Sequence, residues 1–240
     1  MEKIVYGKNP VKEALKSGRN IREILFSKNG SGFKEIIDLA KNRRVLFKFV
    51  ETKTIAKYSK NTQGVVAFVC DVKFYDVFEV LAYLKKEGKS PFFLICDGVK
   101  DPHNLGALIR TSYAVGVDLL IIPKRRSAPI NSTVEKVSAG AVSFLKIAVV
   151  SNIVEIIKKL QNEGVFVYCA DSKGKDIYKT NFKGAIGLVV GSEGKGASSL
   201  VKKTCDGLCR IPMQNKIDSL NVSVAGAIVM YEILRQNKEL

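Results

Sequence analysis

The stretch Pro91-Phe92-Phe93-Leu94-Ile95-Cys96-Asp97-Gly98-Val99-Lys100-Asp101-Pro102-His103-Asn104-Leu105-Gly106 decides the fold class. Phe92 to Cys96 is a short, uninterrupted apolar run, the pattern of a strand buried on both faces. It stops at a polar turn that carries a glycine. From Asn104 to Val115 apolar residues then recur at helical spacing, with Leu105, Leu108, Ile109 and Ser112 as the inward stripe. Toward the C-terminus the same alternation repeats. Strand patterns cover 119–122, 145–150, 165–170, 186–190 and 208–211, and helix patterns cover 132–139, 153–162, 198–205 and 221–236. Continuous apolar strands among amphipathic helices predict an α/β fold with a mainly parallel sheet covered on both faces.

Toward the N-terminus the pattern changes. Asp76 to Gly88 reads as a helix that runs into the charged tail Lys85-Lys86-Glu87-Gly88-Lys89, and 73–90 has the character of a linker. Residues 1–72 read as a small α/β domain. Asn9 is the expected N-cap, Pro10 the first helical residue and Gly18 the stop. Strands are expected at 23–27, 46–50 and 65–69, and helices at 33–42 and 52–58. The expected division is therefore 1–72, a linker over 73–90, and 91–240.

In 240 residues, 39 Lys and Arg stand against 23 Asp and Glu, a formal charge of +16. Such a balance favours a polyanionic partner, because cationic side chains release counterions from phosphates. No apolar run approaches the ~20 residues that span a bilayer, and Met1 to Tyr6 lacks a signal-peptide core, so a cytoplasmic location is expected. The five cysteines (Cys70, Cys96, Cys169, Cys205 and Cys209) contain no Cys-x-x-Cys, and the chain has one histidine. Neither a disulfide framework nor a metal site is expected.

Sites in open α/β sheets lie beyond the carboxyl ends of the strands, and three of those ends are rich in polar and glycine residues. The first is Asp97 to Gly106, leading to Arg110, whose helical neighbours Gly106, Ala107 and Ala114 are small. A snorkelling surface arginine explains Arg110 as well as an anion-binding one does. The second is Val189-Val190-Gly191-Ser192-Glu193-Gly194-Lys195-Gly196-Ala197-Ser198. Gly196 follows Gly-Lys where a phosphate loop needs Ser or Thr, so this is not a P-loop, and the spacing is not the dinucleotide fingerprint. The third is Ile211-Pro212-Met213-Gln214-Asn215-Lys216-Ile217-Asp218-Ser219-Leu220-Asn221-Val222-Ser223, entering the last helix with Ser219 as a candidate N-cap.

Taken together, the three loops resemble the SpoU family of RNA 2′-O-ribose methyltransferases, within the SPOUT superfamily. The match runs through Asp101-Pro102-x-Asn104-x-Gly106-x-x-x-Arg110-Thr111, Gly191-Ser192-Glu193-Gly194 and Ser219-Leu220-Asn221-x-Ser223. Tyr6 to Leu15 and Thr62-Gln63-Gly64-Val65-Val66-Ala67 are similar to the family's N-terminal RNA-binding domain, itself like ribosomal protein L30. The resemblance implies a catalytic domain tied in a deep trefoil, an exception to the rule that chains avoid knots. It implies S-adenosylmethionine as cofactor, held at Gly191, Ile211 and Leu220. It implies active-site roles for Asn104, Arg110, Glu193, Ser219 and Asn221. It also implies a homodimer acting on large-subunit ribosomal RNA, on the pattern of members that methylate a guanosine in its peptidyl-transferase region. Family members that modify another ribosomal site or transfer RNA, and a non-catalytic RNA-binding protein, are the alternatives.

The sequence departs from the family in having Thr62 where His is usual and Asn215 where Gly is frequent. The basic loop Lys124-Arg125-Arg126 follows a strand end on the same edge and is a candidate for phosphate contact, although a solvated charge run explains it equally.

Overall fold

A computed structural model describes residues 3–17, 19, 21–59, 61–69, 72–214 and 219–237. The helix stop expected at Gly18, the thiol of Cys70 and the family departure at Asn215 lie outside the described residues. The chain forms two compact units, residues 1–72 and 73–240.

The first unit runs β1 (Lys3–Tyr6), α1 (Lys8–Lys16), β2 (Ile21–Ser27), α2 (Lys34–Asn42), β3 (Leu46–Val50), α3 (Thr52–Ala56) and β4 (Val65–Val69). Its sheet has the order β1-β4-β2-β3. β4 is antiparallel to both neighbours, and β2 and β3 are parallel. Val11, Ala14 and Leu15 of α1 and Ile36 and Ala40 of α2 pack with Ile24, Phe26, Val65 and Ala67 of the sheet. β1 was not expected from the sequence. Helix α1 also begins earlier than the expected cap at Asn9. Its N-cap is Gly7 at φ 92°, a left-handed backbone that suits glycine. The first helical N–H, that of Lys8, donates to Gln63 Oε1 at 2.9 Å. Pro10 falls in the first turn, where its missing N–H leaves no bond unmade.

The second unit begins with α4 (Val77–Lys86) and continues through β5 (Phe92–Asp97), α5 (Pro102–Val115), β6 (Leu119–Pro123), α6 (Ser132–Val137), β7 (Ile147–Val150) and α7 (Ile153–Asn162). It ends with β8 (Phe166–Asp176), β9 (Ile186–Gly191), α8 (Ser199–Thr204), β10 (Gly207–Arg210) and α9 (Val222–Asn237). The sheet order is β10-β8-β9-β5-β6-β7, and every pair is parallel, as the apolar strand runs require. The segment expected as a linker contains α4. Its Val77, Val80, Leu81 and Leu84 are each at most 5% exposed and belong to the same core as Phe93, Ile95, Ile121 and Ile157. The charged tail made it look like a linker, but its helical apolar stripe makes it part of the fold.

Two glycines mark close helix packing. A Cβ at Gly106 would lie 2.8 Å from Val137 Cβ of α6, and one at Gly226 of α9 would lie 2.6 Å from Leu108 Cδ2 of α5. Gly106 is therefore small to admit α6, not to clear space around Arg110. No helix among the described residues is long and apolar enough to cross a membrane.

Candidate active site

β5 and β9 lie side by side with Asp97 opposite Gly191. The chain leaves β5 toward α5 and β6 on one flank, and leaves β9 toward α8 and β10 on the other. Connections that diverge from adjacent strand ends open a crevice, where open α/β sheets bind their ligands. The first two polar loops are the walls of that crevice.

The turn after β9 closes on itself. Ser192 N–H donates to Gly196 O at 3.0 Å, Gly196 N–H to Ser192 O at 2.8 Å, and Ser192 Oγ to Gly196 O at 3.0 Å. Asp97, 5% exposed, accepts the N–H of Ser198 at 2.8 Å and so ties the turn to the end of β5. A Cβ at Gly191 would lie 1.9 Å from Ala197 N and 2.0 Å from Gly196 C. The turn's own backbone thus requires glycine at 191 before any ligand does. Lys202 of α8 pairs with Asp171 of β8 at 2.5 Å. Burial is the largest single influence on Asp171 and opposes its ionisation, but the Lys202 hydrogen bond, the Lys173 N–H and the charges of both lysines together outweigh it and hold the carboxyl below its ordinary value.

Two helix N-termini enter the crevice. α5 is capped by Asp101, whose Oδ1 accepts His103 N–H at 3.1 Å. α9 is capped by Asn221, not by Ser219 as expected. Asn221 Oδ1 accepts Ser223 N–H at 2.9 Å and Ser223 Oγ at 2.7 Å, and Asn221 O accepts Ala225 N–H at 2.9 Å. Capping fixes the amide: with its oxygen committed to the helix, Asn221 turns Nδ2 to Asn104 Oδ1 at 3.0 Å. Asn104, its oxygen occupied, then donates through Nδ2 to Glu193 Oε1. Every donor in the chain Ser223–Asn221–Asn104–Glu193 points toward the carboxylate. The positive ends of two helix dipoles favour a negative charge there.

Three of the five expected active-site residues, Asn104, Glu193 and Asn221, therefore meet directly. The side chains of Ser219 and Arg110 are exposed and have no hydrogen bond or ion pair with another described residue. Gly191 is buried in the turn, and Ile211 and Leu220 are half-buried in the third loop. Among the described residues the backbones of Met213, Gln214 and Leu220 have no hydrogen-bond partner, which leaves polar groups free for a ligand. Lys124, Arg125 and Arg126 are exposed just after β6. Their loop is anchored to the first motif by Ala128 N–H to Val99 O at 2.8 Å, with Arg126 at φ 64°.

Sequence reasoning missed Asp97 as a support of the turn and Lys202 as the tie between α8 and β8, and noted Ser223 only for lying one turn after Ser219. A carboxylate ending an apolar strand was the available signal for Asp97. Three of the described thiols are held protonated at neutral pH. Burial pushes Cys96 up to about 12, and burial followed by neighbouring Cys169 pushes Cys209 up to about 12. A hydrogen bond with Cys169, then burial, pushes Cys205 up as well. No group of three or more His, Cys, Asp or Glu among the described residues could hold a metal ion.

The family model for the SpoU rRNA methylase family matches residues 91–231. The model for RNA 2′-O ribose methyltransferase substrate binding matches residues 4–75. A protein of Bacillus subtilis named as a TrmH family tRNA/rRNA methyltransferase, YacO, is 36% identical over 237 residues, covering 97% of this chain and 95% of its own. The SpoU methyltransferase AviRb of Streptomyces viridochromogenes, solved with AdoMet, superposes with a TM-score of 0.63 at 23% identity. It covers 98% of this chain and 90% of its own. The TrmH/SpoU tRNA modifying enzyme of A. aeolicus superposes with a TM-score of 0.57 at 29% identity, covering 66% of this chain and 84% of its own.

Proposed function

The chain belongs to the SpoU rRNA methylase family, and we propose that it transfers a methyl group from S-adenosylmethionine to a ribose 2′-hydroxyl of large-subunit ribosomal RNA in the cytoplasm. The target is a guanosine of the peptidyl-transferase region. The observation that carries this reading is the hydrogen-bonded chain from Ser223 to Glu193 at the paired ends of β5 and β9.

The residues present fit the cofactor. Gly191, Ile211 and Leu220 would hold it, with the free backbone groups of the third loop available to its polar parts. When bound, it supplies an electrophilic methyl carbon on a sulfonium. Asn104, Ser219 and Asn221 hold the ribose, and Glu193 aligns them. Arg110 has no role as base, since a guanidinium is built to donate hydrogen bonds and has no acceptor. Exposed and unpaired, it grips the phosphate beside the target ribose. The hydroxyl proton leaves to an RNA phosphate oxygen or to water. Positioning and electrostatics supply the rate. Lys124, Arg125 and Arg126 add phosphate contacts at the crevice rim.

The same reading carries the family's trefoil knot in the second unit and a homodimer with each site near the interface. An exposed stacked pair, Tyr113 and Phe144, 51% and 71% exposed, supports an association surface. The first unit serves as the RNA-selecting domain. The match to the substrate-binding model over 4–75 favours ribosomal over transfer RNA, since the A. aeolicus tRNA modifying enzyme spans only 66% of this chain.

Mass spectrometry of ribosomal and transfer RNA, with and without the gene, tests this. One 2′-O-methylated nucleoside should vanish from large-subunit RNA. It should return with the wild-type gene and not with Arg110→Ala, whose cofactor affinity stays within a few-fold by calorimetry. An unchanged ribosomal RNA, or a change confined to transfer RNA, overturns the assignment.

A further inference from the structure

Within the second unit, α9 carries the chain away from the crevice. Its 16 residues span about 24 Å, from the cap at Asn221 to Asn237. At that far end lies a concavity of about 490 Å³ whose walls include Tyr178, Lys179, Lys183 and Arg235.

The concavity is firmly built. Gln236 Oε1 accepts Phe182 N–H at 2.8 Å, and Gln236 Nε2 donates to Thr180 O at 3.0 Å. Asn237 Nδ2 donates to Phe182 O at 2.6 Å, and Gly184 N–H donates to Asn237 Oδ1 at 2.9 Å. These bonds staple the β8–β9 connection to the last turn of α9. Nothing in the stapling needs charge or an exposed ring, yet both are present. Lys179 and Lys183 are exposed and have no acidic partner among the described residues. Arg235 is rooted by a two-pronged bond to buried Glu232, at 2.8 and 2.7 Å, while its side chain stays 63% exposed. Tyr178 presents a ring that is 61% exposed. Two unpartnered lysines and an anchored arginine beside an exposed aromatic form the combination that takes a nucleic-acid backbone and stacks an unpaired base.

We propose that this concavity is a second docking point for the RNA substrate, gripping backbone phosphates with Lys179, Lys183 and Arg235 and a base with Tyr178, remote from the methyl-transfer crevice. It rests on the RNA reading above and deepens it. An RNA strand reaching both places would be held at two points on one compact unit, so that distal contacts fix which ribose enters the crevice.

The test uses the full chain and deproteinised ribosomal RNA from cells lacking the gene. Wild type, Lys179→Ala/Lys183→Ala, Lys179→Arg/Lys183→Arg and a control pair of exposed lysines elsewhere, Lys86→Ala/Lys158→Ala, are compared across a salt series. Loss of two phosphate contacts should make the log–log salt slope shallower by about 1.5. That lowers affinity by about 30-fold at 0.1 M salt, if the curves meet near 1 M. Cofactor affinity and methylation at saturating RNA should be unchanged, the arginine pair should bind like wild type, and Tyr178→Ala should weaken binding without altering the slope. If wild type methylates and the alanine pair keeps its slope and affinity, or the control pair loses as much, this docking point is refuted while the function stands. If wild type neither binds nor methylates RNA, the functional reading fails and takes the docking point with it.

Discussion

Replacing Gly191 by alanine gives a quantity the turn geometry fixes in advance. The new Cβ would sit 1.9, 2.0 and 2.6 Å from Ala197 N, Gly196 C and Ala197 Cα, all backbone, where ordinary contact begins near 3.4 Å. The turn must therefore retreat by about 1.5 Å, the shortfall from ordinary contact at the closest atom. Such a retreat breaks the two Ser192–Gly196 backbone bonds and the bond from Ser198 N–H to Asp97. At ~1 kcal/mol for each neutral bond and ~2 for the one to a carboxylate, the loss is about 4 kcal/mol. For a chain of this length that lowers Tm by about 12 °C. Cofactor affinity should fall at least ten-fold (~1.4 kcal/mol) with it. Gly194→Ala is the control, because a Cβ there meets nothing within 4 Å and only the φ of +74° is strained, for ~1–2 kcal/mol. Thermal denaturation and calorimetry with S-adenosylmethionine measure both. A Gly191→Ala protein within 1 kcal/mol of wild type, or a Gly194→Ala protein as damaged as Gly191→Ala, would refute the reasoning.

Three further outcomes are expected. Asn221→Asp keeps the cap on α9 but loses the donor to Asn104 and sets a second carboxylate near Glu193, so methylation should drop ~10–100-fold (~1.4–2.8 kcal/mol) with Tm nearly unchanged; wild-type kinetics would remove the amide polarity from the mechanism. A chain starting at Ser90 should fail to fold, because it lacks four aliphatic side chains of the core, at ~1.5–3 kcal/mol each, against a total of ~5–15. One starting at Lys73 should fold, and circular dichroism separates the two. Asp171 has a folded pKa below its unfolded one, so its ion pair stabilises above the unfolded carboxylate pKa of ~3.9 and is lost as pH falls through the folded value. The stability gap between wild type and Asp171→Asn should therefore close between pH 5 and pH 2; a gap of constant size would exclude the coupling.

The parallel sheet was legible because its central strands are apolar on both faces, as in Phe93-Leu94-Ile95-Cys96, all fully buried. Strand β1 was not, because Ile4 and Tyr6 remain 39% and 43% exposed and the strand exists through its pairing with β4. The second half of β8 was hidden for a similar reason. Residues 171–176 are mostly polar, and their strand character comes from β10, which pairs Leu208 with Cys169 and then jumps to pair Cys209 with Lys175. Helix starts were misjudged where the cap is remote or competes: Gln63 serves α1 from the other end of its unit, and Asn221 displaced Ser219. The motif residues named the crevice, but the order Ser223–Asn221–Asn104–Glu193 depends on amide orientations that no spacing encodes.

The register of β9 against β5 also governs when the site can exist during synthesis. Its floor joins Asp97 to Gly191, and its hydrogen-bonded chain needs Asn104, Glu193 and Asn221 together. A ribosome-bound chain that has exposed only β5 to β8 can pair β5, β6 and β7 but leaves β8 without a neighbour, and it has no crevice. With the cofactor held as proposed by Ile211 and Leu220, ligand affinity arises only with the third loop and the start of α9. A molecule that binds across those segments selects completed chains and stabilises the longest-range contacts of the unit by mass action. Cofactor supply is in this way coupled to maturation of the enzyme as well as to its turnover.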